Sequence, residues 1–477
     1  MIRAVVLALL AGALFAGALP PHHLAWLAWF AVVPLFVGVQ GLSGILAVGL
    51  GLAAGLFCGW LHRHVAVPFL LLALLLAAGA LAASLGRRRW TGIPWVAWTA
   101  CAGLVAEWGS SFLPIPLHLA LTQARNLAFI QIADVTGIWG VSFLLWWVNA
   151  ALADQLLQRR PNPVLNCVTL GLVVGTLSYG MWRLAPSGTP DRTIRVAAIQ
   201  DHPSGETSLV APETDALEEP DQEALTREAA AQGAQLIVWS ELSLGTGFDS
   251  DDPRDLTRVL AQALRTHLVV GFSEQHPEAL PRRYNTAALV DPEGQVIGIH
   301  RKLYPFLGEI RATKPGHMIR AFQSSLGRVG MAICFDTCYT RVPRGLVREG
   351  AQLIAMPNYD PPVPHGVLHH LHGAVLPFRA IENRVPIIRA DMNGMSQVID
   401  ARGASLAQAP LWRARAVIAD VVPGNGRGTL YTLLGDWPVP LSLLAFFGFC
   451  LEPLVRRRTR NLTVLPATPS SGSEAPN

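Results

Sequence analysis

Residues 65–85 (VAVPFLLLALLLAAGALAASL) form an apolar stretch without a charged side chain. An α-helix needs about 20 such residues to cross the hydrocarbon core of a bilayer, so this stretch predicts a transmembrane helix. Comparable stretches occupy residues 4–19, 24–40, 43–60, 137–153 and 164–182, with less uniform ones near 95–114 and 430–451. A hydrophobic share of 51% and a charged share of 15% also depart from those of soluble proteins. The sequence therefore predicts a polytopic α-helical membrane protein with about eight spans.

Arginine clusters between the apolar stretches indicate the orientation. If Arg3 is cytoplasmic, alternate connections place three further clusters on the same side, Arg87–Arg89, Arg159–Arg160 and the arginines of residues 456–460. Short cytoplasmic loops are rich in Lys and Arg, so residues 186–428 are expected outside the cytoplasm. The net charge of +4 belongs mostly to these clusters and gives no indication of a nucleic-acid partner. We interpret the first stretch as a retained helix rather than a signal peptide, because a second stretch follows closely.

The composition changes after Arg183, where a Pro/Gly/Ser-rich linker leads into a charged and mixed segment. Buried strand patterns such as TIRVAAIQ (193–200) and QLIVWSE (235–241) alternate there with helical patterns, which is typical of an α/β domain. We therefore expect four units along the chain: a seven-span transmembrane domain at 1–185, an inserted catalytic domain at 193–422, a C-terminal transmembrane helix at 429–455 and a disordered cytoplasmic tail at 459–477.

Three chemically complementary side chains, Glu241, Lys302 and Cys334, follow strands of this pattern. Active groups of α/β proteins gather where the carboxyl ends of strands open to a crevice. A thiol with a pKa of about 8.5 needs a neighbouring base or cation to act as a nucleophile. A glutamate can take the proton, and a lysine can stabilise the thiolate and the oxyanion. The set indicates acyl transfer through a thioester on Cys334, with a buried structural thiol as the alternative.

Successive motifs around these residues resemble those of the nitrilase, or carbon–nitrogen hydrolase, superfamily. They are LIVWSE (236–241), YNTAALVDPEGQVIGIHRKLYPFLGE (284–309), VGMAICFD (329–336) and FRAIENRVPIIRADMNG (378–394). The resemblance implies an α/β domain folded as a four-layer αββα sandwich. It also implies a triad of Glu241 as base, Lys302 as cation and Cys334 as nucleophile, supported by a second glutamate, Glu309.

Segments of the membrane part resemble the amino-terminal helices of bacterial apolipoprotein N-acyltransferases. These segments are LLAGALFAGALPPHHLAWLAWFAVVPLF (9–36), VAWTACAGLVAEW (96–108) and TGIWGVSFLLWWVNAALA (136–153). Members of that family take an acyl chain from a membrane phospholipid onto a cysteine and pass it to the α-amine of a diacylglyceryl-cysteine apolipoprotein. The resemblance thus implies a phospholipid donor and an apolipoprotein acceptor, without an organic cofactor or a metal. We expect a monomer.

The sequence departs from the acyltransferase pattern beside the predicted nucleophile. The family usually shows Cys-Tyr-Glu where this chain has Cys334, Phe335 and Asp336, and Trp-Pro-Glu where it has WSE. We expect Phe335 and Asp336 to support the site or bind substrate, with a turn-stabilising role as the alternative for Asp336. These departures leave two other functions open, an acyltransferase with a different amine acceptor and a membrane-tethered amidase.

Several further side chains have two interpretations each. Cys338 is expected to be structural, since a zinc site shared with Cys334 would need more ligands. Glu107 lies in an apolar span, where it is either functional or paired near the interface. Arg379 and Glu382 are expected to pair near the site. Four histidines are expected on a polar helix face beside the active-site mouth, with metal binding or recognition of a headgroup or amine as alternatives: His365, His369, His370 and His372.

Overall fold

A computed structural model describes residues 1–63, 67–112, 117–186, 192–201, 221–249, 251–252, 254–361 and 366–463. His365, residues 187–191 of the predicted linker and residues 464–477 of the predicted tail lie outside the described residues. The described chain consists of a helical part and a part with two six-stranded sheets.

The helical part opens with nine helices, several of them apolar along their whole length. They are α1 (Ile2–Ala18), α2 (Val33–Gly38), α3 (Gly44–Leu61), α4 (Val67–Arg87), α5 (Ile93–Ser110), α6 (Leu127–Ile130), α7 (Ala133–Thr136), α8 (Ile138–Gln158) and α9 (Pro163–Leu184). Within the described residues, four helices are long and apolar enough to cross a membrane, namely α3, α8, α9 and Pro68–Arg87 of α4. Ile2–Ala18 and Ala25–Gly38, where two further spans are predicted, are shorter apolar helices.

Two glycines let α3 pack closely onto α4. A Cβ atom at Gly51 would lie 2.4 Å from the Cα atom of Ala77, and one at Gly55 would lie 2.3 Å from that of Ala73. Small residues at such contacts let helix backbones approach each other closely, which is the usual means of helix association in membranes. Pro68, in the first turn of α4, lines a cavity together with residues of the sheet-containing part.

The sheet-containing part is built from twelve strands. They are β1 (Ile194–Gln200), β2 (Leu236–Val238), β3 (His267–Glu274), β4 (Tyr284–Val290), β5 (Val296–Arg301), β6 (Ala321–Ser324), β7 (Gly327–Met331), β8 (Leu353–Tyr359), β9 (Ile387–Met392), β10 (Gln397–Ile399), β11 (Ser405–Gln408) and β12 (Arg415–Val421). The first sheet has the order β12-β1-β2-β3-β4-β5 and the second β11-β10-β9-β8-β7-β6. In each sheet the three central strands, β1–β3 and β7–β9, are parallel and the outer pairings are antiparallel.

Five helices accompany these strands: α10 (Gln222–Ala231), α11 (Leu256–Leu264), α12 (Arg341–Arg348), α13 (Val367–Gly373) and α14 (Leu376–Asn383). Apolar side chains of both sheets, among them Val238 and Met331, form one core between the sheets. A second core joins the first sheet to α10 and α11, and a third joins the second sheet to α12 and α14. Two apolar faces per sheet explain the near-continuous hydrophobic strand sequences. The order of layers is the predicted αββα sandwich.

The chain returns to the helical part through α15 (Leu430–Leu434) and α16 (Pro438–Thr463), so the predicted span at 430–451 is two helices. The short helix α7 connects the two parts. Asp134 of α7 accepts hydrogen bonds from Arg183 of α9 at 2.8 Å and from Arg384 of the sandwich at 2.6 Å. Glu382 accepts from the backbone N–H of Ile138, the first residue of α8, at 2.9 Å. Since these groups are largely buried, the bonds fix the sandwich on the helical part.

Candidate active site

Lys302 lies at the centre of a buried ion cluster. It follows β5, and its Nζ atom donates to Oε1 of Glu241 and to Oε2 of Glu309, both at 2.7 Å. Glu241 follows β2, beyond the carboxyl end of that strand, as the sequence predicts. Because Lys302 is 1% exposed and Glu241 2% exposed, water does not compensate either charge, and each requires the other.

Two further donors fix the carboxylate of Glu241. The side-chain amide of Asn285 donates to Oε1 at 2.6 Å, and the backbone N–H of Tyr359 donates to Oε2 at 2.9 Å. The amide of Asn285 also donates to Glu309 at 3.2 Å, so one side chain bridges the two acids. This arrangement leaves the Glu241 carboxylate only one orientation, which is what a positioned general base requires.

Cys334 begins a single turn of 3-10 helix, Cys334–Thr337, which follows β7. Its φ of +46° lies in the left-handed region, which costs energy for a residue with a side chain. Its Sγ atom lies 3.6 Å from the carbonyl oxygen of Tyr359, the residue whose N–H holds Glu241. Strain of this kind clusters at functional sites, where the surrounding structure fixes a side chain in an otherwise unfavourable position.

Burial controls the protonation of the cluster. It raises the pKa of the Cys334 thiol well above its usual range, and the charge of Glu241 adds to this while Lys302 opposes it. Burial also raises the pKa of Glu241, against the opposing effect of Lys302. For Lys302, burial lowers the pKa, but Cys334, Glu241 and Glu309 outweigh it and hold the pKa well above the usual value. The thiol is therefore protonated at rest, and its attack requires a base that removes the proton during the reaction.

Asp336 holds the lysine segment against the cysteine turn. Its carboxylate accepts from the backbone N–H groups of Leu303 at 2.9 Å and Tyr304 at 3.0 Å, and it lies 2.9 Å from Nε2 of His300. The side chain is fully buried. The structure thus places Asp336 where the alternative interpretation expected it, stabilising a turn, while Phe335 lines the cavity beside Cys334.

A second ionic group lies on another side of Cys334. Nδ1 of His372 is 2.9 Å from Oδ1 of Asp360, and Arg389 donates to the other carboxylate oxygen of Asp360 and, at 2.6 Å, to Asp391. Burial lowers the pKa of His372, but Asp360 and Cys338 outweigh it and raise the pKa to about 10. Ligand atoms of Cys334, Asp360 and His372 lie within 4.8 Å of one another, a spacing that suits a metal. Both Asp360 oxygens are already bound, so an ion pair fits the group better.

A cavity of about 370 Å³ opens onto Cys334. Both parts of the chain form its wall. Apolar residues of the wall are Pro68, Leu117 and Leu121 from the helical part and Phe335, Leu371 and Val375 from the sandwich. The polar groups at this wall are few and include Lys302, Glu309 and His372. Such a cavity accepts an apolar chain and presents its polar end to the ionic groups.

The structure brings together most, but not all, of the residues singled out from sequence. Glu241, Lys302 and Glu309 are hydrogen-bonded, and Cys334 and Phe335 line the same cavity. Sequence reasoning missed three polar residues with contacts in this region: Asn285, Asp360 and Arg389. Asp360 comes directly after β8. A polar residue at the end of a buried strand is the sequence signal that could have identified it as a site residue.

The other ambiguous residues have clear positions. Glu107 is fully buried and accepts from the indole N–H of Trp146 at 2.7 Å and the backbone N–H of Leu119 at 3.3 Å. Arg379 and Glu382 form a fully buried pair at 3.0 Å. Among the described histidines of the cluster, His369 and His372 are buried rather than solvated. His370 is half-buried.

Two family models match the two parts of this architecture. The carbon–nitrogen hydrolase family model matches residues 195–429, and the model of the apolipoprotein N-acyltransferase N-terminal domain matches residues 11–151. Among solved structures, an amidase from Nesterenkonia sp. is similar with a TM-score of 0.40 and 22% identity, over 53% of this chain and 100% of that chain.

Curated relatives match different shares of the chain. An apolipoprotein N-acyltransferase of Geobacter metallireducens is 31% identical over 91% of this chain and 92% of its own length. Apolipoprotein N-acyltransferase 2 of Treponema denticola is 27% identical over 72% of this chain and 74% of its own. A nitrilase of Pyrococcus abyssi is 31% identical over 39% of this chain and 73% of its own. The predicted resemblance is confirmed, and the chain belongs to the apolipoprotein N-acyltransferase family of the nitrilase superfamily.

Proposed function

We propose that this protein transfers an acyl chain from a membrane phospholipid to Cys334 and then to the α-amine of a diacylglyceryl-cysteine apolipoprotein. Glu241 acts as the base, Lys302 as the stabilising cation and Cys334 as the nucleophile. Membership of the family supports the activity and both substrates. The observation that carries the assignment of residues is the cavity, because Cys334 lines an apolar space whose wall is shared with the helical part.

In the first half-reaction, Sγ of Cys334 attacks the carbonyl carbon of a phospholipid ester while the carboxylate of Glu241 takes the thiol proton. The carbonyl oxygen becomes an oxyanion, which the ammonium of Lys302 stabilises. The intermediate then collapses, the ester C–O bond breaks, and the glycerol oxygen receives the proton from Glu241. Lysophospholipid leaves, and the acyl chain remains on Cys334 as a thioester.

In the second half-reaction, the neutral acceptor amine attacks the thioester carbonyl. A new C–N bond forms, Glu241 accepts a proton from the amine, and the C–S bond breaks. Lys302 stabilises the departing thiolate until the proton returns from Glu241 to Sγ. The apolar wall keeps water away from the thioester, so that the amine rather than water resolves it.

We extend the proposal to the arrangement in the membrane, with about eight spans and the catalytic sandwich on the periplasmic side. Contacts at the end of the helices away from the sandwich support it. Arg88 donates to the backbone of Leu42 at 3.0 Å, and the indole of Trp90 donates to Glu452 at 3.0 Å, so three predicted cytoplasmic segments meet at one end. The domain limits 1–185, 193–422, 429–455 and 459–477 are part of this proposal.

The test is intact-mass measurement of the purified full chain after incubation with phosphatidylethanolamine vesicles. We expect one acyl adduct that hydroxylamine removes. It should be absent from Cys334→Ala and retained in Cys167→Ala, a matched control at an exposed cysteine of α9. Adding a diacylglyceryl-cysteine peptide should discharge the adduct onto the peptide amine. An absent adduct in the unaltered protein would refute the proposal, and turnover of a small amide without an adduct would indicate the amidase instead.

A further inference from the structure

A second cavity, of about 390 Å³, lies between the helical part and the sandwich on another side of α13. Its wall includes His23, which follows α1, Arg125, which precedes α6, and His370 of α13. Leu371 and His372 of α13 line the cavity beside Cys334, called here the acyl cavity. His370 of the same short helix lines the second cavity. The three basic side chains come from distant segments of sequence, and only the docking of the two parts brings them together.

Among the described residues, these basic groups have no negative partner. The residues that form the wall include neither Asp nor Glu, and no carboxylate among the described residues pairs with Arg125. The rings of His23 and His370 lie 6.1 Å apart, edge to face. Nε2 of His23 and Nδ1 of His370 are buried without a hydrogen-bond partner in the described structure. Buried polar nitrogens are normally bonded, so this cavity has donors available for an acceptor.

The electrostatic consequence is visible in both histidines. Burial, followed by Arg125 and then His370, lowers the pKa of His23 to about 4. Burial and then Arg125 and Arg389 lower the pKa of His370. Each basic group therefore makes its neighbours harder to protonate. An anion among them would reverse this effect, since it would compensate the guanidinium and accept hydrogen bonds from the imidazoles.

Exposed side chains beside the cavity indicate its level relative to a membrane. Trp26, three residues after His23, is 59% exposed, and Leu24 is 46% exposed. Exposed tryptophans on membrane proteins concentrate at the level of the lipid headgroups. A phosphodiester at that level has two unesterified oxygens, which match the guanidinium of Arg125 and the two unpartnered imidazole nitrogens.

We infer that Arg125, His23 and His370 form a binding site for the phosphate of a membrane phospholipid. The inference rests on the proposed function only in taking a phospholipid as the source of the phosphate. A headgroup held here would lie one helix away from Cys334, separated from the acyl cavity by α13. Through this site the protein binds the lipid by a contact that does not depend on the length of the acyl chain.

Binding is tested in the full-length Cys334→Ala protein, so that chemistry plays no part. The protein is kept in a phosphate-free maltoside detergent and titrated calorimetrically with glycerophosphoethanolamine, a headgroup without acyl chains, and separately with inorganic phosphate. Loss of a charge-assisted hydrogen bond should weaken binding about tenfold or more in Arg125→Gln. His370→Gln should weaken it less. Arg63→Gln, at an exposed arginine outside the cavity, is the matched control and should bind as its parent does.

The outcomes separate the sources of the phosphate. Displacement of glycerophosphoethanolamine by dihexanoylphosphatidylethanolamine, with weaker binding of inorganic phosphate, supports the lipid headgroup. Arg125-dependent binding of inorganic phosphate that the lipid does not displace overturns the headgroup assignment. Equal binding of both probes by the parent, Arg125→Gln and His370→Gln overturns the site itself.

A kinetic measurement with Cys334 intact connects the site to the reaction. If the bound headgroup is that of the donor, Arg125→Gln should raise the phospholipid concentration for half-maximal acylation about tenfold and leave the saturated rate unchanged. No acylation in the unaltered protein would refute the proposed function but not the phosphate site, because the calorimetric result stands without it. Normal acylation in Arg125→Gln together with lost binding would overturn its role in holding the donor.

Discussion

Nδ1 of His372 lies 2.9 Å from Oδ1 of Asp360, in the wall of the cavity that contains Cys334. The neighbouring carboxylate outweighs the effect of burial and raises the pKa of His372 to about 10. The imidazole is therefore charged at neutral pH and forms, with Lys302, a second cation beside the reacting thiol. A cation at this distance favours a thiolate, both during attack and when the thiolate departs from the thioester.

The charged His372 leads to the first prediction. Removing it with His372→Gln should lower the acylation rate of Cys334 and also destabilise the fold. Its pKa is higher in the folded chain than the usual value of about 6.5, so its contribution to stability is complete below that pH. The contribution is lost as the pH rises to about 10. The difference in Tm between the unaltered protein and His372→Gln should therefore shrink from pH 6 to pH 10, whereas His317→Gln, at an exposed histidine, should show a constant difference.

The second prediction concerns the buried pair of Glu241 and Lys302. Lys302→Met leaves two acids without their cation, and breaking a buried pair costs about 3–5 kcal/mol. Combining it with Glu241→Gln removes one unpaired charge, so the double variant should unfold at a higher temperature than Lys302→Met alone. Neither should form the acyl adduct. Thermal unfolding and intact mass separate the two effects, and a double variant less stable than the single one would contradict the assigned charge states.

Asp336 gives a third prediction, because its effect on the reaction is indirect. Asp336→Ala removes the acceptor for the N–H groups of Leu303 and Tyr304. Leaving buried donors unpaired costs about 1–3 kcal/mol each and should allow Lys302 to shift. We expect kcat to fall with little change in KM for phospholipid, since Asp336 does not line the cavity. Asp336→Asn, which keeps one acceptor oxygen, should recover part of kcat, and a rise in KM alone would instead indicate contact with substrate.

These relationships show what the sequence could and could not predict. Each of Glu241, Lys302 and Cys334 follows a strand with a clear pattern, so the sequence predicts each of them at a strand end. Glu241 and Lys302 follow strands of the first sheet and Cys334 follows a strand of the second, so their convergence also depends on how the two sheets pack. The histidine-rich segment predicts a polar helix face, because His365 and His369, and His369 and His372, lie at helical spacings. Contacts from distant segments, Asp360 beside His372 and His23 beside His370, decide its burial instead. Helix lengths were similarly ambiguous, since the apolar stretch at 24–40 folds as a 3-10 turn, Ala25–Trp29, followed by the short α2.

The docking of the two parts gives a fourth prediction. Asp134 accepts from Arg183, Arg384 and the hydroxyl of Tyr179, so Asp134→Ala leaves a largely buried arginine unpaired. We expect a loss of about 3 kcal/mol in stability and faster hydrogen exchange at α7, α9 and α14. Asp420→Ala, which removes an exposed pair with Arg195, is the matched control and should leave exchange unchanged. Unchanged exchange in Asp134→Ala would show that apolar contacts alone fix the sandwich.

The last prediction concerns the shared cavity wall. Leu121 belongs to the helical part, yet it lines the same 370 Å³ cavity as Cys334. Leu121→Trp should fill part of that space and exclude long acyl chains while the ionic cluster stays intact. Since each methylene excluded from an apolar pocket is worth about tenfold or more in discrimination, acylation from dipalmitoylphosphatidylethanolamine should fall at least tenfold relative to the dihexanoyl lipid. Leu170→Trp, at an exposed leucine of α9, is the control for the added indole. If Leu121→Trp slows both lipids equally, the cavity does not hold the acyl chain, and the ratio of the two rates decides between these outcomes without depending on the amount of folded protein.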